Sequence, residues 1–192
     1  MKTTEATFNE EKDGFSPVVE GTYPANITNF ESRNYNNSIV FNLNFTVADE
    51  VKKLDVPKLV KDSNGGFVQS TNSDGSPATI NASYMAGNQY KLDKGIWLTP
   101  KPAQGEGWKN RKYKEFFESL GVDFPKDDDG NTVLGEIEEK DVLGVPCLIE
   151  LRETTFTNKE GQQRKAMKVT NAFPWPEGQR LSKEELEEDV PF

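Results

Sequence analysis

Apolar and polar residues alternate most clearly in the segment 38–47. The positions expected on one face of a strand are apolar: Ile39, Phe41, Leu43, Phe45 and Val47. The opposite face includes three polar positions: Asn42, Asn44 and Thr46. A period of two with one apolar face predicts a half-buried antiparallel strand.

The segment 20–34 predicts a strand before this one, because Tyr23, Ala25 and Ile27 fall on one side. Between the two segments, the sequence NYNN is typical of a turn. We therefore expect a hairpin with Tyr35 on its turn, where a role in the core is not expected.

Three further strands are predicted downstream. The third lies around residues 96–99, in QYKLDKGIWLTPK. The fourth and fifth, VPCLIELRETTF and RKAMKVTNAF, are joined by a loop in which Gly161 suits the tight position. In the fifth strand, four residues are expected to share one face: Met167, Val169, Asn171 and Phe173.

One helix is predicted in NRKYKEFFESLG, because aromatic and apolar residues recur there at helical spacing. Asn110 is the expected N-cap, and Gly121 suits the C-terminal stop. Arg111, Lys112 and Lys114 crowd the first turn, where the helix dipole makes each cation cost about 0.3–1 kcal/mol. That cost suggests an external anion, and chance placement is the alternative.

The order of elements is strand, strand, strand, helix, strand, strand, which excludes the doubly wound parallel folds. It predicts a mainly β protein, a five-stranded Greek-key barrel of the OB type, with one helix between strands 3 and 4. Residues 48–83 are rich in Ser, Asn and Gly and predict a long insertion between strands 2 and 3. The domain is expected to span 1–178, followed by a mobile acidic tail, 179–192.

Composition excludes several classes of site and compartment. The chain has no histidine, and its one cysteine, Cys147, lies in an apolar run, where it is expected to be buried. Zinc sites, disulfide frameworks and Ser-His or Cys-His nucleophiles are therefore not expected. No apolar run is long enough to span a membrane, and residues 1–17 lack a secretory signal, so a cytoplasmic protein is expected.

The acidic loop DDDGN, which contains Asp127, Asp128 and Asp129, resembles a cation-binding loop only loosely. A magnesium-dependent nuclease is the enzyme hypothesis that this loop raises. Its spacing is irregular and a bidentate partner is missing. We therefore expect no enzyme, no metal and no cofactor.

Net charge is −9, which by itself disfavours nucleic acid as a partner. The charge is uneven, however. Residues 91–114 hold seven basic residues against two acidic ones, and residues 152–168 hold five against two. Both segments are interleaved with aromatic residues, as a groove for single-stranded nucleic acid requires, because cations follow phosphates and rings stack on bases. A solvated face with core aromatics is the alternative.

This pattern predicts a set of DNA-binding residues: Arg33, Tyr35, Trp97, Lys101, Trp108, Lys109, Arg111, Lys112, Arg152, Phe156, Arg164 and Lys168. Trp97 has an alternative place in the core. Trp175, between two prolines, is expected to hold the end of the domain against the barrel.

The segment EELEEDVPF joins an acidic run to Val-Pro-Phe. Such a mobile segment can act as a recognition peptide, in which Phe192 fills an apolar pocket and the acids pair with Lys or Arg around it. It resembles the acidic tip of bacterial single-stranded DNA-binding proteins. The tip residues are Glu187, Glu188, Asp189, Val190, Pro191 and Phe192.

Together with the order of elements, the tip resembles bacteriophage-encoded single-stranded DNA-binding proteins. The body matches that type in layout: EGTYPANITNFE opening the barrel, YKEFFESLGV before the acidic loop, and VLGVPCLIELRE as the start of the last hairpin. The long insertion, and the lack of a Gly/Gln/Pro-rich linker, separate it from the bacterial tetramer. The resemblance implies that the tip recruits replication or repair proteins, in the host cytoplasm if the chain is phage-encoded.

The prediction is sequence-independent binding of single-stranded DNA during replication or recombination. The tail is expected both to recruit partner enzymes and to compete with DNA. The alternative is a protein–protein interaction or virion structural module with a β-barrel fold. The sequence does not indicate the oligomeric state, a preference for DNA over RNA, or whether residues 48–83 contact DNA.

Overall fold

The computed structural model describes residues 17–63 and 66–176, and their architecture is mainly β. The strands in these ranges are β1 (Gly21–Tyr35), β2 (Ser38–Val47), β3 (Asp55–Pro57), β4 (Leu59–Lys61), β5 (Phe67–Gln69), β6 (Thr79–Asn81), β7 (Gln89–Lys91), β8 (Ile96–Leu98), β9 (Pro146–Thr157) and β10 (Gln163–Pro174). The α-helices are α1 (Arg111–Ser119) and α2 (Glu139–Val142), and 3-10 helices cover Asp49–Lys53, Ala82–Met85 and Gly107–Asn110. None of the helices within this part of the chain has the length and apolar character needed to cross a bilayer.

Contacts divide the described chain into two units, residues 17–19 with 55–80 and residues 20–54 with 81–176. The smaller unit contains two short strand pairs: β3 pairs with β6, and β4 pairs with β5 in antiparallel fashion. Val60 of β4 lies opposite Val68 of β5. The predicted insertion therefore contains short paired strands.

The larger unit holds one sheet in the order β10-β9-β1-β2-β7, and β8 also pairs with β2. The pairings along this path are antiparallel. The predicted hairpin is confirmed: β1 and β2 are joined at a turn where Asn36 has a φ of 52°, a left-handed conformation that Asn tolerates. The predicted third strand around residues 96–99 is confirmed as β8, and β7 is a further short strand that also pairs with β2.

The two ends of this strand order approach each other at one point. Leu92, directly after β7, forms an isolated parallel bridge with Val169 of β10. The Asp93 N–H also donates to the Val169 carbonyl at 2.8 Å.

The core lies between the sheet and α1. The apolar face of β2 is buried as predicted, and the ring of Phe41 lies 5.4 Å from that of Tyr113 and 5.8 Å from that of Phe117. The Tyr113 hydroxyl donates to the Gly135 carbonyl at 2.7 Å and accepts from the Ile137 N–H at 3.1 Å. These two hydrogen bonds attach the segment after the acidic loop to the helix.

Three local predictions are wrong. A bulge between Val169 and Asn171 shifts the alternation of β10, so Ala172 is buried whereas Phe173 is 39% exposed. A second helix, α2, lies between α1 and β9, where one helix was predicted. Asn110 does not cap α1 through its side chain.

Other local predictions are confirmed. Gly121 follows α1 with a φ of +88°. Trp175 and Cys147 are buried, and burial raises the pKa of the Cys147 thiol to about 12. The predicted boundary at residue 178 and the acidic tail lie outside the described residues.

Candidate nucleic-acid interface

The outward side of β1, of β2 and of the strand next to β2, which is β7 at one end and β8 at the other, forms a surface that we call the three-strand face. Residues directly opposite each other in antiparallel strands share a face, so the register defines its members. Three rows of opposed residues cross it: Arg33–Val40–Trp97, Glu31–Asn42 and Asn29–Asn44–Lys91.

An exposed aromatic pair lies at one end of the three-strand face. Tyr35 is 61% exposed and Trp97 is 43% exposed. Their ring centroids are 5.8 Å apart and their planes meet at 87°, an edge-to-face arrangement. Trp97 therefore lies at the surface rather than in the core.

Gly95 allows β8 to lie close to β2 beneath this pair. A Cβ atom at Gly95 would lie 2.4 Å from Cγ2 of Val40 and 3.2 Å from Oδ1 of Asn42. The absence of a side chain at this position therefore keeps Trp97 in register with Val40.

A shallow pocket of about 240 Å³ opens beside the aromatic pair. Its polar lining consists of Asn29, Glu31, Arg33, Asn42, Asn44 and Lys91. The Arg33 guanidinium donates to Oε2 of Glu31 at 2.9 Å. Of these residues, only Arg33 was predicted as a site residue; the polar alternation of β2 was the signal for Asn42 and Asn44.

A second group of predicted residues lies on one face of the β9–β10 hairpin. Arg152 is opposite Lys168, and Phe156 is opposite Arg164. The Lys168 ammonium lies 5.2 Å from the centroid of the Phe156 ring, within the range of a cation–π interaction. The same ammonium pairs with Asp93 at 3.4 Å.

The arginines of this group already have partners in the protein. The Arg152 guanidinium pairs with Glu150 at 2.7 Å and with Glu20 at 3.6 Å. Its hydrogen bond lowers the pKa of the Glu150 carboxyl. Arg164 donates to the Gln162 side chain at 2.8 Å, so its charge is not neutralised there.

A third group surrounds the start of α1. Trp108 is 70% exposed, and Lys109 pairs with Glu106 at 2.6 Å. Arg111 pairs with Glu115 at 2.6 Å, and that hydrogen bond raises the pKa of the guanidinium. Glutamates of α1 itself therefore supply anions to first-turn cations, and Lys114 has the same arrangement with the glutamate four residues later.

Two sets of contacts, which we call ties, connect the second and third groups to the segments that follow β7 and β8. The Asn110 side chain accepts from the Thr99 N–H at 2.7 Å and donates to the Thr99 carbonyl at 2.9 Å. The Lys168–Asp93 pair makes the corresponding connection from β10 to β7. Beyond these ties, no hydrogen bond, ion pair or ring contact in the described chain joins the three groups directly. Lys101 is exposed in the link after β8.

The acidic loop has a local structural role. The Asp127 carboxylate accepts from the N–H groups of Asn131 at 2.8 Å and Asp129 at 3.0 Å, which lowers its pKa. Among residues 17–63 and 66–176, no group of three or more His, Cys, Asp or Glu side chains is arranged to hold a metal ion. The predicted tip, residues 187–192, lies outside the described part of the chain.

No protein-family model matches this chain, and no curated protein matches it.

Proposed function

We propose that this protein binds single-stranded DNA, without reading a defined sequence, during replication or recombination. The observation that carries the proposal is the exposed pair Tyr35 and Trp97 on an open sheet face that also carries Arg33. Unpaired bases offer ring faces for stacking, whereas the bases of a duplex already stack on one another. The protein is proposed to act as a binding protein and not as an enzyme.

We further propose that the larger unit is a five-stranded Greek-key barrel of the OB type. The strand order β10-β9-β1-β2-β7 supports this topology. The parallel bridge between Leu92 and Val169 supports closure between the first and last strands of that order. In such barrels the binding face is formed by the strands that here carry the three-strand face.

The groups on the β9–β10 hairpin and around α1 are proposed to hold the DNA backbone on either side of this face. Ion pairs already occupy several of their cations, but exposed pairs contribute only about 0–1 kcal/mol. A phosphate can therefore replace the carboxylate at little cost. Phe156 and Trp108 are proposed as further stacking surfaces.

The acidic segment 184–192 is proposed to recruit replication or repair proteins and to compete with DNA for the cations. Deleting it should raise affinity for single strands, most strongly at low salt, where screening is weakest. An affinity unchanged at low salt would remove the competition from the scheme. Phe192→Ala should leave DNA binding unchanged and abolish partner recruitment.

The test of the main proposal is fluorescence anisotropy with labelled oligothymidine and with a duplex of equal length. We expect saturable binding of the single strand and at least tenfold weaker binding of the duplex. Equal affinities, or no binding of either, would overturn the proposal. If neither the single strand nor the duplex binds, the remaining interpretation is a protein–protein interaction or virion structural module.

A further inference from the structure

The polar pocket of the three-strand face carries hydrogen-bonding groups without partners in the protein. In the described structure, the side-chain amides of Asn29, Asn42 and Asn44 make no hydrogen bond to other residues. The same holds for Oε1 of Glu31, since Arg33 occupies the other oxygen. A sheet surface that only faces solvent does not need several unpartnered polar groups within one pocket. The pocket therefore has the groups to recognise a polar ligand.

The position of the pocket identifies the part of DNA that it can reach. Asn42 lies two residues from Val40 on the same face of β2, and Val40 is opposite Trp97. A strand whose base stacks on Trp97 therefore brings a neighbouring base over the pocket. Amide side chains present a donor and an acceptor side by side, which suits the edge of a base better than it suits a phosphate.

We propose that this pocket contacts base edges and adds a modest preference for a base with an amine at pyrimidine C4 or purine C6, which is cytosine or adenine, over thymine or uracil. The inference rests on the proposed function. An exocyclic amine can donate to Oε1 of Glu31 and to an asparagine carbonyl. The carbonyl at the same position of uracil would face the Glu31 carboxylate and be repelled by it.

Cytosine and uracil are the sharpest comparison, because the two pyrimidines differ only in the groups at C4 and N3. One hydrogen bond gained, with one repulsive contact avoided, corresponds to about threefold to tenfold in affinity. Stacking strength and backbone flexibility usually set the modest preferences of such proteins. Here the preference should instead depend on named polar side chains.

The experiment compares fluorescein-labelled oligodeoxycytidine and oligodeoxyuridine of twelve nucleotides at pH 8, where cytosine N3 is unprotonated. The full chain should bind the cytidine strand about threefold to tenfold more tightly. The double variant Asn42→Ala/Asn44→Ala should bring the ratio of the two affinities close to one. Glu31→Gln, which has the same shape, should reduce the ratio without removing binding.

Asn34→Ala is the matched control. Asn34 lies on β1 opposite Ile39, which belongs to the inward face of β2, so it does not belong to the pocket. This variant should keep the wild-type ratio. Equal binding of the two strands by the wild type, or a ratio that the double variant leaves unchanged, would overturn the base-edge proposal while single-strand binding stands. Failure to bind either strand would overturn the proposed function itself.

Discussion

Replacement of Trp97 by alanine is the most direct test of how the three-strand face works. The ring is 43% exposed, and its one aromatic neighbour in the described structure is Tyr35, at 5.8 Å. Loss of a stacking surface costs about 1–3 kcal/mol per base, which corresponds to a loss of about fivefold to 150-fold in affinity. The edge-to-face pair contributes about 0.5–1.5 kcal/mol to folding, so the variant should stay folded.

The assay is anisotropy with labelled oligothymidine, accompanied by a urea unfolding curve for each variant. Trp97→Phe should recover part of the affinity, because a smaller ring still stacks. Trp108→Ala removes an exposed tryptophan that makes no ring contact in the described structure, and it should cost less than Trp97→Ala. If Trp97→Ala binds as tightly as the wild type while remaining folded, the aromatic pair is not the stacking platform.

Four further results are expected. Tyr113→Phe should cost about 1–3 kcal/mol in urea unfolding, because the buried Ile137 N–H and the Gly135 carbonyl lose their partner. Burial raises the pKa of Tyr113 to about 12, above its unfolded value of about 10. The contribution of this residue to stability is therefore complete below pH 10 and is lost as pH rises towards 12. A pH series of unfolding midpoints should show this fall in stability, and Tyr113→Phe should make the fall smaller. Asn110→Ala should lower the unfolding free energy by about 1–3 kcal/mol, since both backbone groups of Thr99 lose their partner. Gly95→Ala forces a methyl group against Val40 and should cost about 1–3 kcal/mol, with weaker binding of oligothymidine.

Sequence periodicity was sufficient to predict the buried faces of β2 and α1, two regular elements of the larger unit. The alternation along β2 predicted its buried face, and the spacing of Tyr113, Phe116 and Phe117 predicted the buried stripe of α1. Both patterns persist over several residues, so a single exception does not hide them. The bulge after Val169 has no comparable signal, because one inserted residue changes which face every later side chain occupies.

The candidate site was less accessible from the sequence for a related reason. Tyr35, Trp97 and Arg33 could be chosen individually as exposed rings and cations. Their adjacency depends on the register between β1, β2 and β8, which joins residues more than 50 positions apart. Asn110 shows the same limitation: it has the residue type of an N-cap, but its side chain bonds instead to Thr99, a partner defined only by the tertiary fold.

The proposed preference of an acidic chain for single-stranded DNA is consistent with the way its charges are paired. A surface of free cations would favour duplex DNA, because the duplex carries about one charge per 1.7 Å of its axis. Here Arg33, Lys109 and Arg152 each pair with a nearby glutamate, which weakens their attraction at a distance. At contact, a phosphate can replace the glutamate almost without cost. Discrimination between single strands and duplex DNA then depends on the exposed rings, because only unpaired bases can stack on them.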